Sequence, residues 1–272
     1  MPEVHCYFFA ALPCEAKPLI NHFKLKKQQS CTAFTIYRNE HITLTVTGLG
    51  KSAMAAGVAY TLALFPAPSV PILLNVGIAG HCSHPLGSVF IAEKIIDQET
   101  GRCYYPQLVI TPPCPTHELI TVAKAQPGYP TGSLYEMEAS AFYEISIRFS
   151  SAELIHCIKI ISDNKNNPSY EIKPAQVSLL ISGVMLMIAE YIQQLSQLAI
   201  QAKPIDAANY TEIINQWHFS SNEKIQLKSL LNKRAILIPD NSLDLKELSV
   251  ESGKVVLGYL RKEIDAQAFA SF

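Results

Sequence analysis

The chain has no run of basic residues, no basic stripe interleaved with aromatics and no Cys-x-x-Cys pair. Its 22 Lys and Arg against 23 Asp and Glu leave a net charge of −1. Binding to nucleic acid rests on neutralising many phosphates, so this balance excludes nucleic acid as an electrostatic partner. The seven cysteines (Cys6, Cys14, Cys31, Cys82, Cys103, Cys114, Cys157) are odd in number and widely spaced. That is neither a disulfide framework nor a thiolate metal site, and it predicts reduced thiols in a cytoplasmic protein. The eight histidines show no His-Glu-x-x-His or comparable spacing, so no metal is expected. Serines lack the nucleophile-elbow context. Repeats and low-complexity tracts are absent.

Long hydrophobic runs are missing too. Tyr7 to Leu12 lacks a basic region before it and is too short for a signal peptide. Val177 to Ile188 is more apolar, but it ends before Glu190 and falls short of the ~20 residues a membrane span needs. A buried helix is expected there, and no membrane.

What remains is a 272-residue chain, 49% hydrophobic, able to bury one large core and carry an appendage. Apolar, β-branched segments predict strands at Val4 to Ala11, Thr32 to Arg38, His41 to Thr47, Ile72 to Val76, Ser88 to Ile96, Leu108 to Ile110, Glu118 to Ala123 and Leu154 to Ile161. Helices are predicted from about Glu15 to Phe23, Ser52 to Leu64, Tyr135 to Arg148 and Ala175 to Leu198, with Pro18 placed in a first turn. Alternation of such strands with helices indicates an α/β sheet covered on both faces. From 201 to 272 the chain is more polar and helix-prone, with turn signals at Pro239 to Asn241 and Glu251 to Gly253, so the expected division is 1–200 and a small helical extension, 201–272.

Gly50-Lys51-Ser52 suggests a phosphate loop, but the position five residues before Gly50 is Thr45 rather than glycine. A Gly-rich turn feeding a helix accounts for it better. Asn75-Val-Gly-Ile-Ala-Gly80 is read as a strand running into a glycine loop, where open α/β sheets bind ligands. Three acids then stand in distinctive settings near strand ends: Glu15 in Ala-Leu-Pro-Cys-Glu-Ala, Glu138 in Tyr-Glu-Met-Glu-Ala, and Asp163 in Ile-Ile-Ser-Asp. Buried carboxylates are costly unless a site uses them. An acid opening a helix can simply complement its dipole, and Asp163 could cap a helix, although Asn164 to Pro168 is not helical in pattern.

In this order the motifs resemble the nucleoside phosphorylase and nucleosidase superfamily, most nearly the nucleosidases that hydrolyse methylthioadenosine and adenosylhomocysteine. The resemblance covers roughly residues 4 to 198. It implies a three-layer α/β/α fold with a mixed central sheet, no cofactor, a small-molecule nucleoside substrate and a homodimer or larger homo-oligomer. It implies that Asp163, beside Ser162, protonates the leaving purine, that Glu15 activates water, that Met137 packs on the sugar, and that Glu138 binds a ribose hydroxyl. Gly77 and Ile78 would approach the sugar and its attacking group. Glu136 and Lys159 complete the expected substrate contacts.

The chain departs from the family at Ile78, which stands at a hydroxyl position, and at Lys159, which stands where Arg is usual. The family's Ser-Gly-Asp segment with its following base-stacking aromatic is not found. No arginine precedes Arg38. An absent phosphate arginine and a present Glu15 favour hydrolysis over phosphorolysis. The alternatives are phosphorolysis on the same fold and a catalytically weakened nucleoside-binding protein.

Overall fold

The structure, a computed structural model, describes residues 4–67, 69–125, 128–168, 172–201, 207–237 and 252–270. The chain divides into two compact units, 1–202 and 203–272.

The first unit runs β1 (Cys6–Ala10), α1 (Pro13–Phe23), β2 (Lys26–Lys27), β3 (Thr35–Arg38), β4 (Ile42–Val46), α2 (Lys51–Leu64), β5 (Ile72–Gly80), β6 (Val89–Asp97), β7 (Cys103–Tyr104), β8 (Thr116–Thr121), β9 (Leu134–Glu136), α3 (Ala139–Ser146), β10 (Ile155–Asp163), α4 (Pro174–Ser182) and α5 (Met185–Gln201). The sheet is mixed. β5 lies parallel to both β1 and β10, and β1 is parallel to β4. β10 pairs antiparallel with β6, β6 parallel with β8, and β8 parallel with β9. β9 returns to β5 at the single pair Gly80–Tyr135, so five strands close on themselves around the end of β5.

Period-2 alternation along β1 and β5 sorts the core into two layers. Phe8, Leu74 and Val76 face α1, α4 and α5, meeting Leu19, Ile181, Ile188 and Tyr191. Tyr7, Phe9 and Leu73 face the other side, meeting Met54 and Val58 of α2 and Phe142 of α3. The expected helix–sheet–helix layering is present. Among the described residues no single helix is long and apolar enough to cross a membrane; α4 and α5 together would be, but they meet at a 53° bend.

Several elements differ from the sequence reading. The predicted helix from Ala175 to Leu198 is two helices, broken after Ser182 at Gly183-Val184. Pro18 is not in a first turn, because α1 starts at Pro13 and Pro18 sits buried in its second. The carbonyl that a non-proline residue there would have bonded, that of Cys14, instead accepts the Ser178 hydroxyl at 2.7 Å. Gly77 to Gly80 is no loop: β5 continues through it, paired with β10 up to a register shift that sets Gly80 opposite Asp163. Leu108 to Ile110 forms no strand, and β7 lies earlier, at Cys103–Tyr104. Tyr135 and Glu136 belong to β9, and the helix begins only at Ala139.

The second unit holds α6 (Ala207–Gln216), α7 (Ser221–Leu237) and α8 (Gly253–Ala270). Ile213, Phe219, Leu227, Leu231, Val256 and Leu260 form its own core. Arg234 donates to both Glu263 oxygens, from Nε at 2.7 Å and from Nη2 at 2.9 Å. The turn expected at Pro239 to Asn241 lies outside the described residues, and Gly253 opens α8.

Gly57 lets α2 sit close on the sheet, since a Cβ there would lie 2.6 Å from Thr47 Cγ2. Overpacking of this kind costs about 1–3 kcal/mol, more than the roughly 1 kcal/mol that alanine gains over glycine in a helix. Gly57→Ala is therefore expected to lower the urea midpoint, and an unchanged or raised midpoint would show that the layer can shift.

Candidate active site

Glu15 enters the site from the first turn of α1, directly after β1, rather than from a strand end. Its side chain is buried, yet neither oxygen is orphaned. Oε2 accepts the Leu12 amide at 2.9 Å, closing a capping interaction on its own helix, and Oε1 accepts the Ile78 amide at 2.9 Å. Gly77 makes this approach possible, because a Cβ there would lie 2.8 Å from Oε1. Burial pushes the Glu15 carboxyl up, while Lys159 and the backbone donors pull the other way.

Glu136 and Glu138 flank Met137 but do different work. Glu136 is fully engaged: it accepts the Thr121 hydroxyl at 2.6 Å, the amides of Glu138 and Ala139, and the Lys159 ammonium at 2.9 Å. Those amides open α3, so Glu136 supplies the anion that a helix N-terminus favours. Lys159 is also buried. Burial works against its charge, but Glu136 and Glu138 more than offset this and hold the ammonium above its usual range. Glu138 has one fixed donor, the Gly50 amide at 2.7 Å on Oε1. Burial, and then the neighbouring Glu136, raise its carboxyl to about 7.

Asp163 ends β10 opposite Gly80 of β5. Its Oδ1 accepts the Ser162 hydroxyl at 2.5 Å, and its Oδ2 accepts the Tyr129 hydroxyl. A Cβ on Gly80 would lie 2.5 Å from Asp163 Oδ2 and 2.5 Å from the Tyr129 ring. The glycines of Asn75 to Gly80 thus serve close approach to two acids rather than a turn.

Glu15, Ile78, Glu136, Met137, Glu138, Ser162 and Asp163 line one cavity of about 130 Å³. Two of the expected contacts do not reach it. Lys159 lies behind Glu136 and acts on the site through it, and Gly77 lies beneath Glu15. The sequence reading missed Tyr129, Tyr135 and Leu49, which also line the cavity. For Tyr129 a signal existed: a tyrosine set between glycine and proline in Pro-Gly-Tyr-Pro.

The histidines are less scattered than their spacing indicated. Ligand nitrogens of His81, His84 and His117 lie within 4.8 Å of one another. His81 Nδ1, however, accepts the amides of Ser83 and His84 at 3.1 and 2.9 Å, which leaves its proton on Nε2, 3.0 Å from the Gly132 carbonyl. With both nitrogens of His81 engaged, two imidazoles remain, fewer than the three protein ligands of a zinc site. His81 braces the 128–133 segment at Gly132, and no metal role follows from the cluster.

No protein-family model matches the chain, and none of the curated proteins matches it by sequence. Solved structures do match. The 5′-methylthioadenosine nucleosidase of Arabidopsis thaliana in apo form superposes with a TM-score of 0.56 at 15% identity, over 72% of this chain and 97% of that one. The methylthioadenosine/adenosylhomocysteine nucleosidase of Colwellia psychrerythraea in complex with adenine gives 0.54 at 17%, over 71% and 96%. That of Neisseria meningitidis in complex with methylthio-immucillin-A gives 0.55 at 16%, over 70% and 99%. The fold is the one that these methylthioadenosine/adenosylhomocysteine nucleosidases share.

Two outcomes follow from the charges. Glu138 has a folded pKa of about 7, above its unfolded value, so the stability it contributes is fully present below about pH 4.5 and is lost as pH rises to about 7. The loss is roughly 3–4 kcal/mol by linkage, and Glu15 shifts in the same direction. The urea midpoint is expected to fall between about pH 4.5 and 7, and Glu138→Gln to flatten that fall; equal slopes in both proteins would refute it. Lys159→Met strands Glu136 and should cost about 3–5 kcal/mol. Much of that should return in Lys159→Met/Glu136→Gln, and a double variant no more stable than the single would contradict the pairing.

Proposed function

We infer that the cavity hydrolyses the N-glycosidic bond of a purine nucleoside or thionucleoside. The observation that carries this reading is the convergence of Glu15, Glu138 and Asp163, from three distant stretches of chain, on one small cavity. Cleavage breaks the bond between the anomeric carbon and the base. Asp163 gives its proton to the departing base, a water oxygen joins the anomeric carbon, and Glu15 takes the proton that the water loses. Glu15 is suited to the role of base, because its carboxyl is raised by burial and each oxygen has one backbone donor, leaving a lone pair for water. Glu138, fixed by Gly50 on one oxygen, has the other for a ribose hydroxyl, where its charge stabilises the oxocarbenium-like sugar.

Among the described residues no arginine lines the cavity, which favours water over phosphate as the attacking group. Arg38, the first in the chain, stacks on Phe65 at 4.0 Å and donates to Thr43. A nucleoside-binding protein with weakened chemistry is the second reading, favoured by the small cavity and by the Tyr129 hydroxyl on Asp163. The same inference extends to a cytoplasmic homodimer with α2 in its interface.

Incubation with a nucleoside panel, with and without phosphate, and detection of free base tests the reading. Release independent of phosphate is expected. Asp163→Asn and Glu15→Gln should each lower turnover about 10²–10⁴-fold, and their combination less than multiplicatively. Near-unchanged release by a folded Asp163→Asn protein would end the assignment, and tight binding without turnover across the panel would favour the second reading.

A further inference from the structure

Asp163 is the group on which the proposed chemistry turns, yet both of its oxygens are already taken by hydroxyls of this chain. Ser162 is its chain neighbour. Tyr129 is 34 residues away in sequence, and its ring is buried against Gly80 and Tyr135. A base that accepts a proton from Oδ2 must stand where the Tyr129 hydroxyl stands. The volume agrees: with the phenol in place the cavity is about 130 Å³, against roughly 300–1,000 Å³ for ordinary ligand pockets.

The backbone around Tyr129 is built to present it. Its φ of +41° lies in the left-handed region, which is a genuine outlier for a bulky residue and collects at functional positions. On the C-terminal side the segment is anchored. Thr131 bonds the Tyr135 hydroxyl at 2.8 Å, the Gly132 carbonyl meets His81, and the Ser133 hydroxyl donates to Glu118 at 2.7 Å. On the N-terminal side Gly128 has open space around its Cα, with nothing within 4 Å of a Cβ built there. The anchored half holds its place, while Tyr129 has a glycine beside it as a pivot.

We propose that Tyr129 is a positioning residue that holds Asp163 in the empty protein and is displaced by the incoming base, so that base binding and release of the acid are one event. This rests on the nucleosidase reading for the identity of the ligand, but not for the closed state itself. The closed pair lowers apparent base affinity by the fraction of molecules that are open. Hydrogen bonds to a charged group are strong enough to make that fraction about one in ten to one in a hundred.

The test uses the full chain and its Tyr129→Phe variant, which keeps the ring and removes the hydroxyl. Adenine binding is measured by calorimetry, and amide hydrogen exchange is followed over residues 128–136. Adenine should bind the variant about 10- to 100-fold more tightly, and exchange in the segment should rise by a similar factor while the other strands stay unchanged. Asp163→Ala, which removes the other partner, should raise the same exchange. Equal exchange in all three proteins would overturn the closed pair. Weaker or unchanged adenine binding by Tyr129→Phe would overturn displacement and make the hydroxyl a ligand contact. Faster exchange in both variants with no adenine binding in any protein would support the closed pair while refuting the purine reading of the cavity.

Discussion

Four carboxylates and one ammonium lie buried within a few residues of one cavity, and the rest of the first unit is arranged to make that tolerable. An unpaired buried charge is among the most costly groups a fold can hold. The compensation here comes mainly from backbone. Leu12 and Ile78 amides serve Glu15, the Gly50 amide serves Glu138, and the first amides of α3 serve Glu136. Among the described residues one cation is committed, Lys159, and it is locked onto Glu136, the acid with the most other donors. Glu15 and Glu138 are therefore left under-compensated. Burial raises both carboxyls, and Lys159, engaged with Glu136, offsets it only in part.

That shortage separates two chemistries. A pocket for phosphate needs fixed positive groups, whereas a pocket that activates water beside a developing sugar cation needs basic carboxylates. A lysine at position 159, where the resemblance implies arginine, goes with this. A lysine is a point charge that one carboxylate satisfies, without the planar fork that reaches two groups at once. Behind Glu136 it sets the potential of the cavity without entering it.

Much of the fold was legible because strands buried on both faces are near-continuous apolar runs, and β1, β5 and β10 are written that way. The three acids were legible because a carboxylate beside such a run has few structural excuses. What escaped the sequence depended on contacts between distant segments. Gly77 and Gly80 read as a loop because the reason for them, an acid pressed against each, comes from residues 15 and 163. Tyr135 and Glu136 read as helix because the pairing that makes them a strand, with Leu119 to Thr121, is tertiary. Pro18 was misplaced by a turn, since the hydroxyl that satisfies Cys14 belongs to Ser178, 164 residues away.

Tyr129 is the site residue least legible in the sequence, and the reason is physical. A stretch rich in proline and glycine has no periodicity, so nothing local distinguishes a tyrosine that faces solvent from one that faces an acid. Only the closing of β5, β10, β6, β8 and β9 on themselves decides it, because that ring brings the start of β9 beside the end of β5 and leaves the preceding segment nowhere to lie but across Asp163. Gly80 marks the same place from the other side: it is the pairing partner of both Asp163 and Tyr135, and any larger residue would collide with the acid and the phenol together. One glycine thus ties the closure of the sheet to the contents of the site. With a side chain at that position, the acid and the phenol could not both sit where they do.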